Sequence, residues 1–158
     1  MTKEEFYYKG RNEPKWAFLG DLGIITYYIH HSIGSTYRDF MILLKLHSMG
    51  DFIKDDFMKK KIGSSYDNNK FQKFLNNGWV KVHRKRSGAK ANYNIYRVTT
   101  KIDTIIKKFY RLLGDEEFIP ETKRNPIFKD DFKGNKQYQK RVKDFNEELR
   151  ERLRQQNN

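Results

Sequence analysis

The chain has 158 residues, of which 37% are hydrophobic and 15% aromatic, with a formal net charge of +13 and no cysteine. This length fits one domain with an appendage, and the lack of cysteine excludes disulfides, thiolate zinc sites and thiol catalysis. No apolar run reaches the ~20 residues of a membrane helix, and the start, MTKEEFYYKG, lacks the apolar segment of a signal peptide. We therefore predict a cytoplasmic protein with no membrane partner.

The N-terminal half is expected to be helical. Residues 1–34 contain an apolar stretch that is broken by glycines, which fits either a short helix or a strand, and we predict an extension that packs on the core. Apolar side chains then recur at helical spacing in 36–49, 51–62 and 64–77. Each segment begins with a residue that can cap a helix, namely Thr36, Asp51 and Ser64. Each is followed by a glycine that predicts its end, namely Gly50, Gly63 and Gly78.

Two strands and two further helices are predicted downstream. Residues 79–86 and 91–99 fit strands joined by a turn. An apolar stripe predicts a helix over 100–113, followed by a polar connector over 115–135. The C-terminal segment 136–158 is predicted as an amphipathic basic helix with its stripe over 136–154. The expected fold class is therefore α+β and mainly helical.

The stripes of the last two helices also raise the question of oligomeric state. They contain more apolar residues than one small domain needs to cover. We predict a homodimer through residues 100–113 and 136–154; the alternative is that both stripes pack within the chain.

The positive charge is concentrated in the middle of the chain. Residues 51–100 hold 12 basic and 4 acidic residues, a net charge of +8, against +1 for residues 1–50 and +4 for residues 101–158. No acid lies between Asp67 and Asp103. Basic residues that fall in that interval include Lys70, Lys73, Lys81, Arg84, Lys85, Arg86, Lys90 and Arg97. A patch of this kind favours a polyanionic partner, with nucleic acid as the first choice.

The segment FLNNGWVKVHRKRSGAKANYNIYRVTTK, preceded by three helices, resembles the winged-helix family, and within it the MarR-type regulators. An apolar helix end, a glycine, a strand, a basic wing and a second strand ending in threonine are typical of the family. Here these parts are Phe74-Leu75, Gly78, Trp79 to Val82, Arg84 to Asn92 and Val98-Thr99. The Asp-x-Arg pair usual in MarR-type wings is absent, and the turn reads SGAK. The resemblance covers residues 36–113 and implies a domain over 35–114, with a three-helix core, a β-hairpin wing and additional C-terminal helices.

The outer face of the third helix can read bases. With Phe71 towards the core, amide and lysine side chains point outwards. Asn and Gln can pair with adenine, Lys with guanine or phosphate, and helix-start N–H groups with phosphate. Wing arginines would follow the backbone or enter a narrow minor groove. The predicted DNA-binding residues are Ser64, Ser65, Tyr66, Asn69, Lys70, Gln72, Lys73, Asn76, Arg84, Lys85, Arg86, Lys90, Asn92 and Arg97.

From these residues we predict a non-enzymatic protein that binds double-stranded DNA and regulates transcription, with 64–77 as recognition helix and 84–92 as wing. Heavy use of Lys, Asn, Ile, Tyr and Phe fits an AT-rich genome, such as that of a bacteriophage. We find no phosphate-binding glycine loop, HExxH or Ser–His–Asp pattern. No cofactor, metal site or small-molecule ligand is predicted.

Two alternatives remain open at the level of sequence. In the first, the protein binds RNA or a single strand, with Tyr93 and Tyr96 stacking on bases. In the second, it is a structural or adaptor protein that uses a winged helix for protein contacts. Preference for a single strand would favour the first, and a stable protein complex with little nucleic-acid affinity would favour the second.

Overall fold

The computed structural model describes residues 19–59, 67–85 and 94–158. These residues form six α-helices and a two-stranded antiparallel sheet, which confirms the predicted α+β, mainly helical class. In this described part, no helix combines the length and apolarity needed to cross a bilayer. The chain divides into two compact units. We call residues 38–107 the hairpin unit, which lies within the predicted domain 35–114, and the residues up to 37 and from 108 onwards the terminal unit.

The elements in chain order are α1 (Leu19–Ser32), α2 (Tyr37–Met49), α3 (Lys54–Lys59), α4 (Asn68–Asn76), β1 (Val80–Arg84), β2 (Ile95–Val98), α5 (Thr100–Leu113), a short 3-10 helix (Pro126–Phe128) and α6 (Asn135–Gln156). Helices α2, α5 and α6 start and end within two residues of their predicted bounds. The extension before residue 35, for which helix and strand were both open, contains a helix.

Helix α3 starts three residues later than predicted. Asp51 is not its N-cap, because the Asp51 carboxylate accepts a hydrogen bond from Arg97 Nε at 2.8 Å. The next residue, Phe52, forms an antiparallel bridge with Tyr96, with N–O distances of 3.0 and 2.7 Å. The chain is therefore extended where the helix was expected, since both residues have partners on β2. Residues 60–62 of the predicted helix lie outside the described residues.

The start of α4 was also predicted wrongly. Asp67 has an extended backbone, with φ −133° and ψ 174°, and its carboxylate accepts from the Lys70 amide at 2.7 Å. Asp67 is thus the N-cap, whereas the prediction placed it inside a helix capped by Ser64. Ser64 and Asp67 are both residue types that can cap a helix, and α4 begins directly after the second of them. Ser64 itself lies outside the described residues.

The turn from α4 to β1 was predicted correctly at Gly78. Its φ is +67°, which glycine adopts without the steric cost that other residues incur. The Gly78 amide donates to the Leu75 carbonyl at 3.1 Å, and the Trp79 amide donates to the Phe74 carbonyl at 3.0 Å. This pair of bonds is a Schellman motif. The rings of Phe74 and Trp79 also meet edge to face at 5.2 Å, so the helix end and the strand start are packed together.

The hairpin contains a bulge in its first strand. Val80 pairs with Val98 and Lys81 with Arg97, but two residues of β1, Val82 and Arg84, pair with consecutive residues of β2. The extra residue is His83. A bulge bends the strand and increases its twist. Val82 is 38% exposed, whereas Val80, two residues earlier in the strand, is 2% exposed.

Aromatic rings fill the core of the hairpin unit. The Phe57 ring lies 5.1 Å from Phe71 and 5.8 Å from Phe74, and Phe71 lies 4.9 Å from Tyr96. Offset or edge-to-face pairs of this kind contribute about 0.5–1.5 kcal/mol each beyond the area that they bury. This aromatic core joins α3, α4 and β2.

In the terminal unit, the predicted connector over 115–135 contributes to the core. Ile119 and Ile127 are 1% and 0% exposed. The buried amide of Asn146, on α6, bonds to both backbone groups of Ile119: its Oδ1 accepts from the amide at 2.9 Å, and its Nδ2 donates to the carbonyl at 2.8 Å. The segment is thus held against α6 through polar groups that would otherwise be buried without partners.

The apolar stripe of α6 is covered within the chain. Val142, Phe145 and Leu149 are each 0% exposed, and α6 contacts α1 and the 3-10 helix of the same unit. The homodimer prediction depended on this stripe being available. Intramolecular packing, the open alternative, accounts for these three residues, and the oligomeric state stays a prediction.

Candidate nucleic-acid interface

Helix α4 has the two faces that its sequence predicted. Phe71 and Phe74 are buried in the aromatic core. The opposite side of the helix is polar and open to solvent. The exposed residues there are Asn68, Asn69, Gln72, Lys73 and Asn76, and Lys70 is half-buried.

Both lysines of α4 are bound to a buried carboxylate. Lys70 Nζ donates to Asp39 Oδ1 and Lys73 Nζ to Asp39 Oδ2, each at 2.7 Å. The Asp39 side chain is 0% exposed, while those of Lys70 and Lys73 are 23% and 45% exposed. The ammonium groups therefore hold α4 against α2. Lys73 Nζ also lies 5.9 Å from the centre of the Trp79 ring.

The ionisation of Asp39 follows from these contacts. Burial would raise the pKa of its carboxyl, but hydrogen bonds from Lys70 and Lys73, together with their charges, outweigh burial and lower the pKa below its ordinary value. Asp39 is therefore a carboxylate near neutral pH. One buried negative charge is balanced by two partly exposed positive charges, which leaves a positive excess on this part of α4.

The amides of α4 differ in their availability. Gln72 Nε2 donates to Asn76 Oδ1 at 2.9 Å, so the amide groups of these two residues, one helical turn apart, are hydrogen-bonded to each other. The Asn69 side chain has no hydrogen-bond partner among the described residues. Of the predicted base-reading amides, Asn69 is thus the one whose donor and acceptor atoms are both available.

Strand β1 presents an exposed row of cations. Lys81, Arg84 and the following residue, Lys85, are exposed, as is His83 between them. Within the described residues, none of the three cations forms a salt bridge. The charge of Arg84 helps to lower the pKa of the Asp51 carboxyl, and the three side chains otherwise face solvent. A polyanion that binds such cations releases counterions, and this release contributes to its affinity.

Arg97, predicted as a wing contact, has a partner on the protein. Its Nε donates to Asp51 Oδ1 at 2.8 Å, with both side chains somewhat under half exposed. The hydrogen bond from Arg97 lowers the pKa of the Asp51 carboxyl. Arg97 also stands directly opposite Lys81 in the hairpin register. Its guanidinium thus anchors the hairpin to the α2–α3 connection.

Several predicted residues cannot be placed. Those outside the described residues are Ser64, Ser65, Tyr66, Arg86, Lys90 and Asn92, and with them Tyr93 of the single-strand alternative. Tyr96, the other tyrosine of that alternative, is 6% exposed and packs against Phe71 and Phe52. Its ring has no open face on which a base could stack.

Two residues at this surface were missing from the predicted site. Asp39 lies four residues before Leu43 and seven before Leu46, on the apolar stripe of α2. An acid on a core stripe requires a buried cationic partner, which is the signal that could have identified it. Lys81 was noted for its charge, but it was not assigned a contact. The signal that could have identified Lys81 is its position in a strand without acidic residues.

Comparisons with protein-family models, curated proteins and solved structures found no match for this chain. Its function must therefore be inferred from the exposed and unpaired charges of the described residues.

Proposed function

We propose that this chain is a winged-helix protein that binds double-stranded DNA, without enzymatic activity, and regulates transcription. The order of elements from α2 to β2 supports this proposal, since three helices precede an antiparallel hairpin. The observation that carries it is the row of unpaired cations along β1 and its continuation, Lys81, Arg84 and Lys85. These exposed cations form no salt bridge within the described residues, so their side chains are available to a polyanion.

In this proposal the hairpin contacts the phosphate backbone. Phosphate contacts hold a protein on the duplex and fix its register without reading sequence. The side chains of Arg84 and Lys85 are long, exposed and adjacent, so each can neutralise one phosphate. The bulge at His83 bends β1 immediately before them, which turns the end of the strand relative to its start.

Sequence reading is assigned to the exposed face of α4. Asn69 has both amide atoms available and can make the paired contact with adenine that asparagine favours. Lys70 and Lys73 contribute less than predicted, because Asp39 occupies their ammonium groups. We therefore expect affinity to come mainly from the hairpin and specificity mainly from Asn69 with the Gln72–Asn76 pair.

The test is the salt dependence of binding to duplex DNA. Arg84→Ala combined with Lys85→Ala removes two phosphate contacts, so the slope of log Kd against log salt should flatten by about two units. Fluorescence anisotropy with a labelled duplex of random sequence, titrated at several salt concentrations, measures this slope. The variant should lose affinity for all sequences alike.

A matched control removes the same charge elsewhere. Lys136 and Lys143 are exposed on α6, and replacing both by Ala lowers the net charge by the same two units. The proposal assigns neither lysine a contact with DNA, so this control should keep the wild-type slope. Equal slopes for the hairpin variant and the wild type would contradict the proposed contact.

The alternatives make different predictions in the same assay. Single-strand binding loses support because Tyr96 is buried, and a preference for labelled single-stranded RNA over duplex would restore it. An adaptor role predicts no nucleic-acid binding even at low salt. In that case the unpaired cations of β1 would face an acidic protein.

A further inference from the structure

A groove of about 410 Å³ lies on the hairpin unit. Side chains from four elements meet there: His47 from α2, Lys81 and His83 from β1, Arg97 from β2, and Asp103 from α5. Four of these five side chains are cationic or become cationic on protonation. Of these five residues, only Arg97 was predicted from the sequence to contact DNA.

The acid in the groove is already neutralised. Asp103 Oδ1 lies 2.8 Å from His47 Nε2, and Asp103 Oδ2 lies 2.8 Å from Lys107 Nζ. The hydrogen bonds from Lys107 and then His47 hold the pKa of Asp103 below its usual range. Both carboxylate oxygens therefore have a partner on the protein, and the positive charge of Lys107 offsets the negative charge of Asp103.

The cations of the groove are not fully balanced. Lys81, Arg97 and Lys107 supply three positive charges, and the nearby carboxylates, Asp51 and Asp103, supply two negative ones. This leaves an excess of one before either histidine is protonated. Asp51 accepts from Arg97 through Nε, so the terminal guanidinium nitrogens are not used by that bond.

Two of the cations also oppose each other directly. Lys81 and Arg97 are register partners across the hairpin, and like charges at such positions destabilise a strand pair. An anion that contacts both side chains would remove this repulsion. Phosphate oxygens suit the site, because arginine and lysine both bind them through charge-assisted hydrogen bonds.

We propose that this groove binds a phosphate group between Lys81 and Arg97, with His83 as a further donor. The phosphate belongs either to the DNA backbone or to a free phosphorylated compound, and both sources present negatively charged phosphate oxygens. With a backbone phosphate the inference rests on the proposed function, whereas with a free compound it goes beyond that function.

The test follows the four histidines by NMR as inorganic phosphate is added at constant ionic strength. His47 and His83 line the groove, whereas His30 and His31 lie on α1 in the terminal unit and serve as internal references. We expect the signals of His47 and His83 to move and saturate with a Kd of about 1 mM or tighter. Those of His30 and His31 should stay in place.

Variants separate the site from general charge. Lys81→Ala should weaken phosphate binding about tenfold, because one charge-assisted contact is lost, while Lys143→Ala on α6 should leave it unchanged. If all four histidines move together without saturation, or if the two variants behave alike, the groove does not bind phosphate specifically and the inference is overturned.

A titration of the same protein with duplex DNA identifies the source of the phosphate. If a random duplex moves His47 and His83 and competes with inorganic phosphate, the groove holds a backbone phosphate. If phosphate saturates the groove and the duplex binds without moving them, the ligand is a free phosphorylated compound. Duplex binding without any phosphate response would overturn the groove but not the proposed function. Phosphate binding without duplex binding would support the groove and contradict that function.

Discussion

Asp39 illustrates how a charged residue can serve the fold instead of the surface. A carboxylate that is removed from water costs several kcal/mol unless it is paired and hydrogen-bonded. Asp39 meets this condition through Lys70 and Lys73. The two lysines that looked most suited to DNA are thus first of all partners of a buried acid, which attaches α4 to α2.

We predict that Asp39→Asn lowers the free energy of unfolding by about 2 kcal/mol near neutral pH, because charge-assisted hydrogen bonds from both lysines are lost. The folded pKa of Asp39 is depressed. Its contribution is therefore present above the unfolded pKa of about 4 and is lost as the pH falls through the folded value. Urea unfolding of both proteins near neutral pH and at about pH 3 should show the difference shrinking with acidity.

The control for this prediction is Asp130→Asn. Asp130 pairs with Lys123 at 3.0 Å, but both side chains are at least 80% exposed, and pairs of this kind contribute about 0–1 kcal/mol. A difference between wild type and Asp39→Asn that did not change with pH would mean that the ion pair is not the source of the stability.

Residue partners were the least predictable part of the site. The partners of Asp39 lie 31 and 34 residues away, and the partner of Arg97 lies 46 residues away. No local spacing contains this information. The exposure of Asn69 and Arg84 followed from periodicity and from the position of Phe71, whereas the pairing of Lys70, Lys73 and Arg97 depended on contacts formed only in the folded chain.

At the scale of elements, the α4–β1 turn fixes how the end of the helix joins the start of the hairpin. The Schellman bonds and the Phe74–Trp79 contact join the end of the proposed recognition helix to the first strand. The proposed base-reading and phosphate-binding surfaces are therefore connected through a turn with defined geometry. Its geometry requires the positive φ of Gly78.

We predict that Gly78→Ala lowers the free energy of unfolding by about 1–2 kcal/mol, because a Cβ is strained in this backbone conformation. No atom lies within 4 Å of the added Cβ, so the cost comes from the backbone alone. Gly23→Ala is the matched control: Gly23 lies inside α1, also with open space around its Cβ. Alanine there should stabilise by about 0.5–1 kcal/mol. Urea unfolding measures both, and the two effects should have opposite signs.

Elements with a clear stripe and a marked end were predicted well. Helices α2 and α5 have regular apolar spacing, and glycine follows each. The start of α4 was predicted at Ser64 but follows Asp67, because both residues can cap a helix. Residues 19–32 remained ambiguous because glycines interrupt their apolar stretch, and such a stretch fits either a short helix or a strand.

At the scale of the whole molecule, the apolar stripe of α6 decides between self-association and intramolecular packing. Val142, Phe145 and Leu149 are buried without a second chain. Any dimer would therefore need a different surface from the one that these three residues provide.

We predict that Leu149→Ala lowers the thermal unfolding midpoint, since truncating a buried leucine costs about 3 kcal/mol. The midpoints of this variant and of the wild type should both be independent of protein concentration. The half-buried Leu153 on the same helix is the control, and its truncation should cost less. A midpoint that rises with concentration in the wild type would indicate that folding is coupled to dimer formation, and the packing assigned to α6 would then be incomplete.

The bulge at His83 has a consequence for aggregation. One edge of β2 is occupied at Tyr96 by Phe52, whereas in the described part of the chain no strand pairs with the outer edge of β1. Another chain can add a strand to an unpaired sheet edge, and lysines, bulges and short edge strands prevent such pairing. Strand β1 has five residues, an irregular ladder and a lysine at its second position. The charges proposed to hold phosphate would thus also keep copies of this chain from joining edge to edge into fibrils.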